Sequence, residues 1–343
     1  MKHRAHALLQ EPDMPDREIS LRRRRLLVGG LGAALLSGAA GRALAQSYPA
    51  RPIIFICPWP AGGTADMTMR ALVSVAARQL GGPMVLENRA GASGMLGTTA
   101  LANAKPDGYT IGQVPLSVTR FAHLGNLRFD PLKDLSYIAR ANGQTFGFAC
   151  LPNSPFKNLA DLVAFAKKNP GKVTCATAGA GGETHVGLME FAANAGIDIN
   201  HIPYKGGAEA LQAVLGGHVD LLSDSSSWAP HVLQGRLRLL ATWGEERVPR
   251  FKDTPTLKEL GYNVVRMAPN GVGAPSGIDP QIMLKLREAF KKAALSEEFK
   301  AACDKIDSVV MYQDADAYRK FIEENYAREK IQVEKLGLKQ LLS

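Results

Sequence analysis

The chain has 343 residues, of which 46% are hydrophobic and 21% charged, which is enough apolar content for two medium-sized domains. Its formal net charge is +9, but residues 1–45 hold eight Lys/Arg against four Asp/Glu and so contribute +4 of it. The remaining positive charges are scattered, with no basic helix face interleaved with aromatic side chains. This pattern argues against nucleic acid as a partner.

The first 45 residues have the order of an export signal. A basic block at residues 22–25 precedes an apolar stretch at 26–40, and a small-x-small cleavage site follows at 43–45. The apolar stretch is too short to be a comfortable membrane span, so a retained membrane anchor is the less favoured alternative. We expect the mature chain to begin near Gln46 in the periplasm, by either the twin-arginine or the Sec route.

The mature chain opens with alternating strand and helix patterns. The run "RPIIFICP" predicts a strand, and Met67, Ala71, Leu72, Val75 and Leu80 then recur at helical spacing. Two further predicted strands, "PMVLEN" and "DGYTIGQV", flank a predicted helix, "ASGMLGTTALANA". This alternation is typical of βαβ units and a parallel sheet.

The alternation restarts near "QTFGFACLPNS" and predicts a second α/β unit. Its predicted strands are "KVTCATAG", "NHIPY" and "VDLLSD", and its helices are "KNLADLVAFAKKN", capped by Asn158, "ETHVGLMEFAANAG" and "AEALQAVLGG". Two helical stretches, at about 280–302 and 315–335, end the chain. We therefore expect an export signal at 1–45, a first lobe at 46–147, a second lobe at 148–269, and a return to the first lobe at 270–343.

The cysteine pattern indicates no metal or redox site. The spacing of the four cysteines matches no metal-binding motif and includes no C-x-x-C pair, so we expect neither a metal nor a cofactor. Three of them lie in β-like apolar runs, where free cysteine is usually a small buried hydrophobe. A disulfide between two of the four remains open from sequence: Cys57, Cys150, Cys175 and Cys303.

Two glycine-rich loops stand between a predicted strand and a predicted helix: residues 58–66 (the first loop) and residues 178–185 (the second loop). Ligands of open parallel sheets bind at this edge, because the first N–H groups of a helix have no intrahelical partner. Glycines such as Gly62 and Gly63 let backbone N–H groups approach an anion closely. The pair predicts a clamp on an anionic ligand, although tight structural turns are an equally good reading and neither loop has a phosphate-binding fingerprint.

Side chains around the loops give more specific expectations. Asp66 is expected to cap its helix or to pair with Arg70 four residues on, since it would repel an anion. His185 is expected to hydrogen-bond to the backbone at the start of its helix. Trp59 and Trp228 are each compatible with the core, but each ends a β-like run, where the wall of a cleft would lie.

Several separated motifs resemble one family in the same order. The stretches "RPIIFICPWPAGGTADMTMRAL", "VLENRAGASGMLGTTALANAKPDGYTI", "ATAGAGGETHVGLMEF" and "HIPYKGGAEALQAVLGGHVDLL" are similar to the Bug (Bordetella uptake gene) receptors, the periplasmic substrate-binding proteins of tripartite tricarboxylate transporters. The resemblance runs from about residue 48 to the C-terminus. It implies an α/β Venus-flytrap fold of two lobes, each a mostly parallel sheet flanked by helices, with a carboxylate-bearing ligand held between them.

The resemblance also implies which residues bind the ligand. In the family the backbone of the first loop holds the carboxylate, often through ordered waters, and the second loop approaches from the other side. The Pro-Tyr-Lys-Gly segment of the family falls on residues 203–206 and its acidic residue on Asp224. Motifs and resemblance together predict a set of ligand-binding residues: Trp59, Ala61, Gly62, Gly63, Thr64, Asp66, Ser117, Gly179, Ala180, Gly181, Gly182, His185, Tyr204, Asp224, Ser225 and Trp228.

These expectations favour a monomeric receptor that delivers a small carboxylate to membrane transporter subunits. Two tryptophans near the cleft tilt the expected ligand towards an aromatic or bulky carboxylate. No G-x-S-x-G or H-E-x-x-H motif supports an enzyme, and a hydrolase built from Asp224, His231 and the serines between them is disfavoured. A sensor subunit that presents its ligand to a membrane kinase would have the same fold, so sequence leaves that alternative open.

Overall fold

A computed structural model describes residues 48–125 and 127–342, which belong to one compact unit. The predicted export signal and its cleavage site lie outside the described residues. The elements expected for the first part of the chain are confirmed, and a further helix and a long strand follow them: β1 (Ile53–Cys57), α1 (Thr64–Leu80), β2 (Met84–Asn88), α2 (Met95–Ala102), β3 (Thr110–Val114), α3 (Val118–Leu124) and β4 (Leu135–Cys150).

The second α/β series also follows the prediction, and Asn158 caps its first helix by accepting a hydrogen bond from the Asp161 N–H. Its predicted elements are α4 (Leu159–Lys168), β5 (Thr174–Thr177), α5 (Glu183–Ala195), β6 (Asn200–Pro203), α6 (Gly207–Leu215) and β7 (Leu221–Ser225). Two elements that the sequence did not predict follow them, α7 (Ala229–Leu233) and β8 (Arg238–Thr242). The chain ends with β9 (Met267–Pro275), α8 (Pro280–Ala294), α9 (Glu297–Asp304), β10 (Ser308–Gln313), α10 (Ala315–Lys335) and α11 (Leu338–Leu341).

The described strands form a curled sheet in the order β2-β1-β3-β9-β4-β7-β5-β6, and β8 and β10 also pair with β4. The outer strands pair in parallel, as expected, at β1/β2, β1/β3, β5/β6 and β5/β7. The pairs that involve β4 or β9 are antiparallel, which the expectation of mostly parallel sheets had not included.

Strand β4 runs through both lobes. Its residues 135–145 pair with β9, while its residues 146–150 pair with β7 and β8. We call the half of the sheet with β1–β3, β9 and β10 the first lobe, and the half with β5–β8 the second lobe. The predicted lobe limits at residues 147 and 270 fall inside β4 and β9, and those limits stay a prediction.

Each lobe has its own apolar core. In the first, Ile53 and Phe55 of β1 pack with Leu72 of α1 and Phe290 of α8. In the second, alternate residues of β4 serve two clusters on opposite faces of the sheet, because successive strand side chains point to opposite sides. Phe148 belongs to one cluster and Ala149 to the other.

The four cysteines are buried and free, so the disulfide that the sequence left open is not formed. Cys57, Cys150 and Cys175 lie in strands, as expected for small core residues. Trp228 is also fully buried, in the same second-lobe cluster as Ala149, with its ring edge-to-face against Phe251. The end of a β-like run had suggested a place in the cleft wall for this side chain. The short turn after β7 instead directs the indole into the core.

Candidate ligand-binding site

A cavity lies between the two lobes, where the ends of strands from both meet. About 70 Å³ of it is open to water-sized molecules. Its wall is mostly apolar and comes from both lobes: Trp59, Pro60, Gly63, Thr64, Ala65, Gln113, Pro115, Leu116, Ser117, Gln144, Phe146, Ala178, Gly182, Glu183, Thr184, Gly207, Asp224, Ser225, Ala268, Pro269 and Asn270.

Two helix N-termini open into this cavity from opposite lobes. Helix α1 contributes Gly63 and its first residues, and helix α5 contributes Gly182 and its first residues. Both helices have glycine at the N-cap, in extended conformation, and neither cap has a side-chain hydrogen bond. The first N–H groups of each helix are therefore available to an anion, and both helix dipoles favour negative charge there.

In both loops, a glycine that was expected to bind the ligand already donates its N–H to a side chain of the protein. The Gly62 N–H donates to Asp66 Oδ2 at 3.0 Å, and the Gly181 N–H donates to His185 Nδ1 at 3.0 Å. Both glycines have positive φ, +82° and +73°, which only glycine adopts readily. Their N–H groups are thus used within the protein, and so is the Gly182 N–H, which donates to the Gly179 carbonyl at 3.4 Å. The candidate ligand donors are the N–H groups of residues 63–65 and 183–184.

Asp66 and His185 have the structural roles that the sequence indicated: Asp66 pairs with Arg70, and His185 hydrogen-bonds to the backbone. The Asp66 carboxylate accepts from Arg70 Nε at 3.0 Å and from Asn88 Nδ2 at 2.7 Å, so its charge is paired away from the cavity. The His185 ring stacks on His201 with centroids 3.8 Å apart. Burial, the adjacent His201 and Arg120 lower the pKa of His185 to about 3, so the ring is neutral at physiological pH.

Three side-chain amides, those of Gln113, Gln144 and Asn270, form part of the polar lining of the cavity. Gln113 Nε2 donates to Asn270 Oδ1 at 2.7 Å, and Asn270 Nδ2 donates to Thr68 Oγ1 at 3.3 Å. Gln144 is buried with its Nε2 unpaired, which leaves a donor available at the cavity. These residues were not predicted from the sequence, although a glutamine inside an apolar β-like run was the available signal.

The cavity has two acids and, among the described residues that line it, no Lys, Arg or His. Glu183 is neutralised by Arg120 at 2.9 Å and Arg266 at 2.8 Å. Burial raises the pKa of Asp224 to about 6, against the opposing effect of hydrogen bonds from Ser227 and the Ser225 backbone. Its carboxylate lies so close to Gly207 that a Cβ there would be 2.4 Å from Oδ2, so the position requires glycine.

The predicted site residues fall into three groups. Seven line the cavity: Trp59, Gly63, Thr64, Ser117, Gly182, Asp224 and Ser225. Ala61 and Tyr204 line a separate, open depression beside Pro60. The others do not line either space, because they form the backs of the loops or, in one case, the core: Gly62, Asp66, Gly179, Ala180, Gly181, His185 and Trp228.

The lobes contact one another around the cavity. Thr64 Oγ1 and Ser225 Oγ are 2.8 Å apart, and Ser93 Oγ donates to the Ala180 carbonyl at 2.6 Å. Within the described part of the chain, no hydrogen bond or ion pair joins Asp224 to His231. The Asp224 carboxylate accepts from Ser227 instead, so the hydrolase constellation that the sequence analysis disfavoured is not assembled.

Comparison with known proteins identifies the family of this scaffold. A family model described as "Tripartite tricarboxylate transporter family receptor" matches residues 68–338. The chain belongs to this receptor family. A Cupriavidus necator relative named "UPF0065 protein in gbd 5'region" is 41% identical over 321 residues, 92% of this chain and 98% of the relative.

Solved structures agree with the family assignment. The periplasmic binding protein BugD has a TM-score of 0.82 at 27% identity, with 85% of this chain and 99% of BugD covered. MatC from Rhodopseudomonas palustris, solved with bound malate, has a TM-score of 0.79 at 25% identity, with 83% of this chain and 100% of MatC covered. The resemblance to Bug receptors is thereby confirmed, and the receptor's fold is that of periplasmic solute-binding proteins. No helix in the part of the receptor that the structure describes is long and apolar enough to cross a membrane.

Proposed function

We propose that this receptor binds a small carboxylate between its lobes in the periplasm and delivers it to the membrane subunits of a tripartite transporter. The observation that carries the proposal is the pair of helix N-termini, without side-chain caps, that open into one cavity from opposite lobes. Backbone donors of this kind fit an anion without the help of a cationic side chain. The predicted removal of residues 1–45 supports the periplasmic location.

The remainder of the cavity favours a compact ligand with hydrogen-bonding groups along its length. Gln144 supplies an unpaired amide donor, and Ser117, Thr64 and Ser225 supply hydroxyl groups. Malate, the ligand of the MatC structure, has this chemistry and is the first ligand to test. The mostly apolar wall, with Trp59 and Phe146, makes the bulky or aromatic carboxylate that the sequence had suggested the second ligand class to test.

Binding without chemical change is the simplest role for this geometry. The acids of the cavity do not form a pair with a base, since Glu183 is held by two arginines and Asp224 by a hydroxyl group. Bridging waters between the loop N–H groups and a carboxylate would be nearly as favourable as direct contacts, and they would allow ligands of different length. Contact between the lobes would then exclude bulk water and present one closed surface to a transporter.

Calorimetric titration of the mature chain, residues 46–343, with malate tests the proposal. We expect saturable binding and a rise in the melting temperature, because a ligand at about 100 times its Kd stabilises the folded state by roughly 2.7 kcal/mol. Malamide, which replaces both carboxylates by neutral amides, is the matched control and is expected not to bind. The proposal fails if no member of a panel of mono-, di- and tricarboxylates binds, or if NMR shows that a bound acid is chemically converted.

A further inference from the structure

A buried chain of charged groups connects the two lobes beside the cavity. Arg120, on α3 of the first lobe, is fully buried. Its guanidinium makes a two-pronged contact with Glu329 of α10, from Nε at 2.8 Å and from Nη2 at 2.7 Å. Helix α10 packs against α3 and β4, so this pair belongs to the first lobe alone.

The same guanidinium also reaches the second lobe. Arg120 Nη1 donates to the Gly181 carbonyl at 3.0 Å, and Nη2 lies 2.9 Å from Glu183 Oε1. These two partners flank Gly182, the N-cap of helix α5. The contacts of Arg120 therefore hold the helix start that contributes the second set of candidate ligand donors.

Arg120 and Glu183 each also have a partner of opposite charge within their own lobe. The second oxygen of Glu183 accepts from Arg266 Nη1 at 2.8 Å, and Arg266 also holds Glu190 at 2.7 and 2.8 Å. The backbone of Arg266 donates to the Trp243 carbonyl of the second lobe. Separation of the lobes thus leaves Arg120 with Glu329 and Glu183 with Arg266, which avoids the large penalty for an isolated buried charge.

An apolar contact lies alongside the charged one. Val186 and Met189 of α5 pack with Leu124 and with residues at the end of the chain, among them Val333 and Leu338. Phe121, next to Arg120, and Leu342 approach Gly181 closely enough that a Cβ there would lie 3.0 Å from each. The first lobe and the C-terminal segment therefore contact the N-terminal half of α5 through both an ion pair and apolar side chains.

We propose that Arg120 and Glu183 form a reversible clasp that draws the lobes together before ligand arrives, and that Arg120 thereby acts as a positioning residue for the α5 end of the site. Because the apparent affinity of a receptor scales with the fraction of molecules already in the binding-competent state, a weaker clasp lowers affinity without any change in ligand contacts. This consequence for affinity rests on the proposed function, whereas closure itself can be measured without ligand.

The test is the distance between spin labels on the two lobes in the ligand-free receptor, measured by pulsed electron paramagnetic resonance. Leu96 of the first lobe and Leu233 of the second, 59% and 57% exposed, can be replaced by cysteine and labelled, since the four native cysteines are buried. Glu183→Gln removes the charge and keeps the shape. We expect the ratio of closed to open receptor to fall by roughly 3- to 10-fold, the range for the loss of one net hydrogen bond.

Glu190→Gln is the matched control, because it lies on the same helix and contacts Arg266 but not Arg120. It should leave the distance distribution of the parent unchanged. Arg120→Lys, which retains a charge for Glu329 but cannot reach all three partners, should open the lobes as Glu183→Gln does. Thermal melting confirms that each variant is folded.

Identical distance distributions for the parent, Glu183→Gln and Arg120→Lys would overturn the clasp. With malate as the probe, the affinity of Arg120→Lys, which changes no residue that lines the cavity, should fall by the same factor as its closed fraction, and an unchanged affinity in an opened Arg120→Lys receptor would overturn the positioning role. If the parent itself binds no carboxylate, the proposed function fails, and the distance data still decide whether the clasp exists.

Discussion

The two glycine loops have the same construction and different chemistry. In each, a glycine with positive φ donates its N–H to the third residue of the following helix, Asp66 in α1 and His185 in α5. Each helix then begins at an extended glycine whose neighbours line the cavity. The acceptor is an anion tied to Arg70 in the first loop and a neutral ring stacked on His201 in the second.

The two loops have the same shape although the side chains that accept the glycine N–H differ in charge. The loop shape therefore does not require a charged acceptor. An ionised Asp66 is tolerable near an anion because Arg70 and Asn88 hold it from the far side. At His185, burial of the ring, the second imidazole and Arg120 favour the neutral form. The pH dependence of the second loop should therefore follow the titration of His185.

The largest expected effect distinguishes Trp228 from Trp59, the two tryptophans that the sequence had placed together in the cleft wall. Trp228→Ala should lower the free energy of unfolding by about 3–5 kcal/mol, since it empties a fully buried site. Trp59→Ala should cost far less stability and should change which carboxylate binds best, because Trp59 lines the cavity. Chemical denaturation and titration with a carboxylate panel measure the two effects, and a changed ligand ranking in a folded Trp228→Phe would contradict this division.

The next largest effect concerns pH. The pKa of His185 is about 3 and that of His201 about 4 in the folded receptor, both lowered by burial. The unfolded chain takes up these protons below about pH 6.5, so the stabilisation present above that pH is lost as the pH falls towards the folded values. Each histidine should cost about 3 kcal/mol between pH 6.5 and 4.

His185→Asn isolates this contribution, because asparagine can still accept the Gly181 N–H but does not titrate. Asp224, whose raised pKa of about 6 stabilises the receptor as the pH falls through that value, acts in the opposite sense and is common to both proteins. The quantity to compare is therefore the slope of unfolding free energy against pH. Parent and variant should differ by about 1.4 kcal/mol per pH unit, and parallel curves would contradict the neutral, buried ring.

A smaller effect tests the ligand donors themselves. Thr64→Pro removes the N–H of the first residue of α1, where proline is tolerated and where Gly63 already has the extended conformation that precedes proline. Thr64→Val is the control, since both variants lose the hydroxyl that meets Ser225 but valine keeps the N–H. Affinity should be roughly 10- to 100-fold weaker in the proline variant than in the valine variant. Equal affinities would mean that this N–H does not bind the ligand.

The smallest effect is expected for Asp66→Asn. Asparagine retains an acceptor for the Gly62 N–H, but it loses the ion pair with the half-exposed Arg70 and the hydrogen bond from Asn88 Nδ2. We expect a loss of about 1 kcal/mol of stability and less than about a threefold change in ligand affinity. A loss of affinity as large as that of Thr64→Pro would show that the acceptor charge of the first loop does matter.

Local patterns in the sequence predicted much of this fold. Apolar runs and glycine punctuation located β1, α1 and the α5 helix, and Asn158 marked a helix start correctly. Helical spacing was less reliable for single residues, since Met67 is 38% exposed while Met69 is buried. The antiparallel strand β9 was missed because "MAPNGVGAP" has few β-branched residues and gains its strand character from pairing with β4.

The candidate site was predictable in outline only. Glycine loops before helices located both helix starts, but which loop N–H groups are occupied depends on side-chain geometry that spacing does not reveal, as at Gly62 and Gly181. Arg120 and Glu183 lie 63 positions apart, and nothing local in the sequence pairs them. Trp228 was misplaced because the direction of a side chain after a strand end depends on the turn that follows.

The most direct test of the central claim is amide NMR of the receptor as malate, or whichever carboxylate binds, is added. Anion binding by the helix starts predicts downfield proton shifts for the N–H groups of residues 63–65 and 183–184, at both lobes together and at one stoichiometric equivalent. The amides of Gly62 and Gly181 should move little, because Asp66 and His185 already accept their protons. Shifts confined to one lobe, or absent from both helix starts in a saturated complex, would contradict the account.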